Sequence, residues 1–143
     1  MSKVAVVYWS GSGNTEMMAG AVADGAKKKG ADADLIYCTD FSADKVSAYD
    51  AIAFGCPAMG AEVLEESEFQ PMFDEVAPAL KDKKIALFGS YGWGDGQWMR
   101  DWEERMSEAG ATVLNGEGLI CQEMPDEAVL EECRELGKQI VGV

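Results

Sequence analysis

The sequence predicts an α/β fold: a three-layer, doubly wound sandwich whose five-stranded parallel sheet, in strand order 2-1-3-4-5, is covered by helices on both faces. Three observations carry that prediction. Short apolar runs alternate with segments of helical period along the whole chain. Three of those runs are apolar without alternation, as strands buried on both faces are. Each of the three opens into a loop crowded with glycine. Strand and helix repeated five times imply parallel pairing through right-handed crossovers, and the order 2-1-3-4-5 is a common outcome. In that order, ligands sit where strands one and three diverge.

The elements follow in turn. Residues 3–9 form a β-branched apolar run that reads as the central first strand. A helix is expected over 14–29, with Met18, Ala21, Val22 and Gly25 forming one inward stripe. Lys27, Lys28 and Lys29 complement the negative end of its dipole, and Gly30 stops it. Residues 32–37 carry alternating charge and read as an edge strand. Residues 40–50 make a polar connection, with a turn of helix around 42–46. Ala51, Ile52, Ala53, Phe54 and Gly55 read as the third strand, followed by the loop 56–62 with an exposed methionine, Met59. Phe69, Met72, Phe73, Val76 and Leu80 mark an amphipathic helix, with Pro71 in an early turn where a missing N–H matters little.

The fourth strand, 84–89, opens into Ser90-Tyr91-Gly92-Trp93-Gly94-Asp95-Gly96. Asp95 lies in the cap region of a helix carrying Trp98, Trp102 and Met106 on one face. Residues 111–114 and 119–121 are two short pieces of a fifth strand, parted by Asn115 and Gly116. A final helix over 126–140 buries Val129, Cys133, Leu136 and Ile140.

A chain of 143 residues suits one domain, spanning 1–143, and such a length removes roughly 70% of the unfolded surface from water. No stretch is long and apolar enough for a membrane span, and Met1-Ser2-Lys3-Val4 lacks the build of a signal peptide. The expectation is a soluble, cytoplasmic protein. The four cysteines show no Cys-x-x-Cys spacing and the chain has no histidine, so no metal site is expected and the cysteines read as small buried apolar residues. Lacking histidine, the chain also lacks the usual general base of a Ser or Cys triad. A net charge of −14 argues against nucleic acid and anionic membranes, and favours basic partners or plain solubility.

The motif at the first strand–helix junction is Ser10-Gly11-Ser12-Gly13-Asn14-Thr15. A glycine turn at a helix N-terminus gathers free N–H groups at the positive end of the dipole, and the four polar side chains add donors, so the site suits a phosphate. A dinucleotide fingerprint would need glycine where Glu16 stands, and a nucleotide-triphosphate loop would need Gly-Lys-Ser/Thr where Gly13, Asn14 and Thr15 stand. No Lys or Arg occurs from residue 4 to residue 26. Neutral donors fit a terminal monophosphate held as an anchor. The same turn would also serve simply to connect strand and helix, so this segment alone leaves both readings open.

The second and third loops add Met59, Tyr91 and Trp93 among glycines. An indole and a thioether sandwich a planar ring well, glycines 55, 60, 89, 92, 94 and 96 allow close backbone approach, and Glu62 offers an acceptor for a ring N–H. Each has a plainer reading, with Met59 packing on the core, Trp93 as a surface anchor and Glu62 in the acidic run of Glu65, Glu66 and Glu68. Their joint placement at the expected switch point favours the ligand.

These motifs make the chain resemble the flavodoxins of the short-chain type, over essentially its whole length. Ser10 to Thr15 resemble the family's phosphate loop, and Gly55-Cys56-Pro57-Ala58-Met59-Gly60 and Gly89-Ser90-Tyr91-Gly92-Trp93-Gly94 its two isoalloxazine loops. The resemblance implies the flavodoxin-like fold, non-covalent FMN and a low-potential carrier that shuttles single electrons between redox enzymes through the semiquinone/hydroquinone couple. It implies cofactor binding by Trp9, Ser10, Gly11, Ser12, Gly13, Asn14, Thr15, Pro57, Ala58, Met59, Gly60, Ala61, Glu62, Ser90, Tyr91, Gly92, Trp93, Gly94 and Asp95. Trp93 would stack on one ring face and Met59 on the other. The Gly60 peptide would flip toward N5–H of the half-reduced ring and Glu62 would bind N3–H, so these two residues tune the potentials. Ala61 stands where many relatives carry a polar residue.

Charge extends the reading. Between Lys45 and Lys81 there are seven acidic residues and no basic one. One charge about 10 Å away opposes an anionic reduced ring by ~0.4–1.7 kcal/mol at effective dielectric constants of roughly 20 to 80. Several such charges would lower the second potential. Partners would be low-potential oxidoreductases with basic docking patches, and the carrier a monomer. The rival enzyme reading, a flavin-dependent NAD(P)H:quinone reductase, lacks a basic cluster for a second cofactor. A phospho-receiver domain would need acids where Trp9, Ser10, Gly55 and Cys56 stand. A binding module for another phosphate-bearing ring is the third alternative.

Overall fold

Val4, Ala5, Val6 and Val7 are all buried without residue, which a strand can do only when both faces are covered. They form the middle of β1 (Lys3–Tyr8) in a computed structural model that describes residues 3–11, 13–59, 63–92, 94 and 96–141. β1 pairs in parallel with β2 (Asp32–Tyr37) on one side and with β3 (Ala51–Gly55) on the other. β3 pairs with β4 (Lys84–Tyr91). The fifth place is shared by two segments: β5 (Thr112–Val113) lies beside the start of β4 and β6 (Leu119–Gln122) beside its end. The order is therefore 2-1-3-4-5, with the last strand broken at Leu114–Gly116, where Asn115 turns into the left-handed region at φ 64°.

Alternation along the strands divides the core. Val4, Val6, Ala51, Ala53, Ala86 and Phe88 face α1 (Asn14–Lys28) and α4 (Glu127–Val141). Ala5, Val7, Ile52, Phe54, Ile85 and Leu87 face α2 (Phe69–Val76) and α3 (Gln97–Glu108). The first face is packed by small residues; a Cβ on Gly25 would strike the Arg134 main chain, and one on Gly137 would strike Val22. The second is aromatic, with Phe69 edge-on to Trp102 at 5.4 Å between ring centres.

Several details differ from the sequence expectation. The α2 helix ends at Val76 and continues as a 3₁₀ turn, Ala77–Ala79, because Pro78 has no N–H to return; Leu80 is still fully buried beyond it. Val129 is only half-buried, and Asp126 instead caps α4 by accepting the Val129 N–H at 3.0 Å. The 38–48 connection holds two 3₁₀ turns, Cys38–Asp40 and Ala43–Ala48. All four cysteines are buried and unbridged, and burial pushes the Cys38 and Cys133 thiols up to about 12. Among the described residues no helix is long and apolar enough to cross a membrane.

Candidate functional site

At the carboxyl edge of the sheet the three strands give way to loops that remain tied to one another. Trp9 donates its N–H to the Gly55 carbonyl at 3.0 Å, Cys56 to Phe88 at 3.2 Å and Ala58 to Ser90 at 3.0 Å. The sheet ladder thus runs on past the ends of β1 and β3 and ties the roots of the loops together. Between them lies a cleft of about 340 Å³ lined by Trp9, Gly11, Asn14, Pro57, Ala58, Met59, Ser90, Tyr91, Gly92 and Glu123.

The first loop presents the start of α1. Gly13 takes φ 97°, a left-handed turn that favours glycine, and among the described residues no side chain caps the helix. The Ser10 Oγ accepts the Gly13 N–H at 3.1 Å, and a hydroxyl that accepts can also donate. Gly11 rests on the Trp9 indole so closely that a Cβ there would lie 2.9 Å from the ring. Thr15 is placed differently from its neighbours. It is 1% exposed and shares a 2.9 Å hydrogen bond with the Ser90 hydroxyl, joining α1 to β4 rather than lining the cleft. Among the described residues no lysine or arginine lines the cleft, so an anion seated here would meet amides, hydroxyls and a helix dipole.

The second loop leaves β3 through Cys56, whose carbonyl accepts the Trp98 indole N–H at 3.2 Å. Burial pushes the Cys56 thiol well up, against the Glu65 N–H that it accepts. Met59, expected to be exposed, is half-buried and paired with Val63: each N–H meets the other's carbonyl, at 2.8 and 3.1 Å. The third loop places Tyr91 on the cleft wall, 5.5 Å from the Trp98 ring and tilted to it by 48°. Gly92 and Gly94 are exposed. Gly55 and Gly89, expected to bring amides toward a ring, instead make room for the Phe88 ring and the Cys56 carbonyl, so their smallness serves packing.

Of the site residues expected from sequence, Ser12, Gly60, Ala61, Glu62, Trp93 and Asp95 lie outside the described residues. Glu123 was not expected on the wall. It follows β6, stands at φ 60° and donates its N–H to the Tyr91 carbonyl at 2.7 Å, which carries it to the cleft mouth. The donor set of α1 with a flat-walled, partly apolar cleft beside it fits a phosphate-tailed planar ring.

A family model described as flavodoxin matches residues 6–137. The chain is 50% identical to a flavodoxin of Clostridium beijerinckii, over 96% of this chain and 99% of that protein. It is likewise 50% identical to the flavodoxin of Megasphaera elsdenii, over 94% and 96%. The solution structure of two-electron reduced Megasphaera elsdenii flavodoxin superposes with a TM-score of 0.89 at 48% identity, covering 98% of this chain and 99% of that one. A flavodoxin from the domain Archaea superposes with a TM-score of 0.86 at 31% identity, covering 98% and 96%.

Proposed function

Because the chain belongs to the flavodoxin family of FMN-containing, low-potential electron carriers, we propose that the cleft between its three loops is where FMN sits. The protein transfers electrons rather than catalysing a reaction, and its partners are redox proteins. The observation that carries the site assignment is the start of α1, without a side-chain cap among the described residues, opening beside a cleft whose described wall holds no basic residue.

In this reading Ser10, Gly11, Ser12, Gly13 and Asn14 hold the phosphate, and Thr15 contributes through the main chain of the first turn while its buried hydroxyl braces loop three through Ser90. Pro57, Ala58, Met59, Gly60, Ala61 and Glu62 meet one side of the ring; Ser90, Tyr91, Gly92, Trp93, Gly94 and Asp95 meet the other. Bound FMN supplies the one-electron chemistry. The chain's own part is to orient the ring, to exclude water with Trp9, Met59 and Tyr91, and to surround the ring with carboxylates. Glu62, Glu123 and the acids of 65–68 disfavour added negative charge, which makes the second electron leave readily. Gly60 and Glu62 are the residues that tune the potentials.

The whole chain, 1–143, acts in this reading as one FMN-binding unit, monomeric and cytoplasmic. Its partners are low-potential oxidoreductases with basic patches, steered by a net charge of −14. Anaerobic reductive titration of the FMN-loaded protein, followed by visible absorbance, tests the reading. Two resolved one-electron steps, the second at much lower potential, are expected. Reduction in a single two-electron step would overturn the tuning argued here. A colourless protein that fails to take up FMN would overturn the site itself.

A further inference from the structure

Between the second loop and α2 lies a carboxylate that the cleft leaves unused. Glu65 is 6% exposed, yet among the described residues no lysine or arginine forms an ion pair with it. Its partners are main-chain dipoles. One oxygen accepts the N–H groups of Glu68 at 2.7 Å and Phe69 at 2.9 Å; the other accepts the Ser67 N–H at 3.0 Å and the Ser67 hydroxyl. The main chain of Glu65 is fixed as well. Its N–H donates to the Cys56 Sγ at 3.4 Å, and its carbonyl accepts the Gln70 N–H at 2.8 Å. Cys56 is the root of loop two, already held by Phe88 and Trp98.

We propose that Glu65 is a positioning residue for the flavin cleft: by clamping the return limb of loop two beside its outgoing limb, it keeps Met59 and Val63 in register. The proposal rests on the reading of loop two as a wall of the FMN site. A carboxylate does this better than any neutral side chain, because it is acceptor-only and four donors converge on it. Glutamine has nearly the same shape but would turn an NH₂ group toward two of those donors. Glu66, next in sequence, is exposed, so Glu66→Gln removes one neighbouring charge and leaves the clamp alone.

The test is residue-resolved amide hydrogen exchange on the full chain, with and without FMN, together with FMN affinity and the two one-electron potentials. In Glu65→Gln the Met59 and Val63 amides should exchange on the order of 10-fold faster while Val6 in β1 is unchanged, and FMN should bind on the order of 10-fold more weakly. The gap between the two potentials should narrow more in Glu65→Gln than in Glu66→Gln, which removes a charge without touching the clamp. If only the amides of residues 67–69 accelerate, the carboxylate serves α2 alone and the proposal falls. It also falls if Val6 accelerates in step with Met59, or if both variants lose FMN affinity equally. Should Glu65→Gln fail to fold, Ser67→Ala removes one donor from the same carboxylate. About 3-fold faster exchange at Met59 and Val63 is then expected, and no change overturns the proposal. A wild-type protein whose Met59 and Val63 amides gain no protection from FMN would instead refute the site reading, independently of Glu65.

Discussion

Two helices that begin at the carboxyl edge of the sheet begin in opposite ways. The first turn of α1 follows a left-handed glycine and, among the described residues, carries no side-chain cap. The turn leading into α2 is filled by the Glu65 carboxylate, which takes three N–H groups and a hydroxyl. The physics is the same at both, since each start exposes amides at the positive end of a dipole. At α2 the chain provides the anion; at α1, on the proposed reading, the FMN phosphate would bring it. The positive end of a helix can therefore serve either stability or binding, and on the proposed reading this chain separates the two uses. Giving α1 the arrangement of α2 should strengthen the fold and weaken the ligand.

Ser10→Asp makes that exchange directly. An aspartate in place of the serine that accepts the Gly13 N–H would cap α1 and stabilise the FMN-free chain by ~0.5–1 kcal/mol. Against a phosphate about 4–5 Å away at an effective dielectric constant near 20, the same carboxylate repels by ~3–4 kcal/mol, so FMN affinity should fall ~100- to 1000-fold. Urea unfolding and a flavin fluorescence titration read the two effects separately. Undiminished affinity would remove the start of α1 from the phosphate seat.

The reverse operation, emptying the start of α2, should cost less. Glu65→Ala leaves buried donors without an acceptor and should lower stability by ~2–3 kcal/mol. The dependence on pH identifies the charge as the agent. Burial pushes the Glu65 carboxyl up, but the Ser67 hydroxyl and the three N–H groups outweigh it and hold the group below the usual 4.5. A lowered folded value means that the contribution is complete above the unfolded value and is lost as pH falls through the folded one. The stability difference between wild type and Glu65→Gln should hold from pH 7 to about 4.5 and shrink below it. A difference that persists unchanged into stronger acid would mean that the charge is not what the turn uses. Smaller again is Thr15→Val, which leaves the buried Ser90 hydroxyl without its partner and should cost ~1–2 kcal/mol in urea unfolding.

The two starts were not equally legible in the sequence. Gly11, Gly13 and the polar residues around them stand at a strand–helix junction, so local spacing alone marks α1. The same locality made the sheet readable, down to the break in the fifth strand around Asn115 and Gly116. Glu65 sits in a run of acids that looks like a solvated face, and only the fold turns its carboxylate inward. Glu123 was missed because its place depends on β6 lying beside β4 and on a left-handed backbone that its residue type does not announce. Thr15 looked like one more open donor; its partner is 75 residues away. Gly55 and Gly89 looked like ligand glycines, because crowding by Phe88 and Cys56 leaves no local mark.

Glu68 links the two helix starts, and its removal should have the smallest effect. Its N–H is held by Glu65, while one oxygen of its carboxylate accepts both the Trp9 indole N–H at 2.9 Å and the Tyr37 hydroxyl at 3.1 Å. Trp9 in turn supports Gly11 in the first loop. Because Glu68 is exposed, water competes for these bonds, and Glu68→Gln should change stability by less than ~1 kcal/mol. The Tyr37 phenol is the finer gauge. Burial is the main cause that pushes its ionisation well above the ordinary 10.0, and the bond and charge of Glu68 push it further. In Glu68→Gln the burial remains and the charge is gone, so phenolate absorbance should appear at lower pH than in wild type, though still above 10.0. An unshifted titration would mean that Glu68 does not hold Tyr37 in solution, and the link between the two starts would then rest on Trp9 alone.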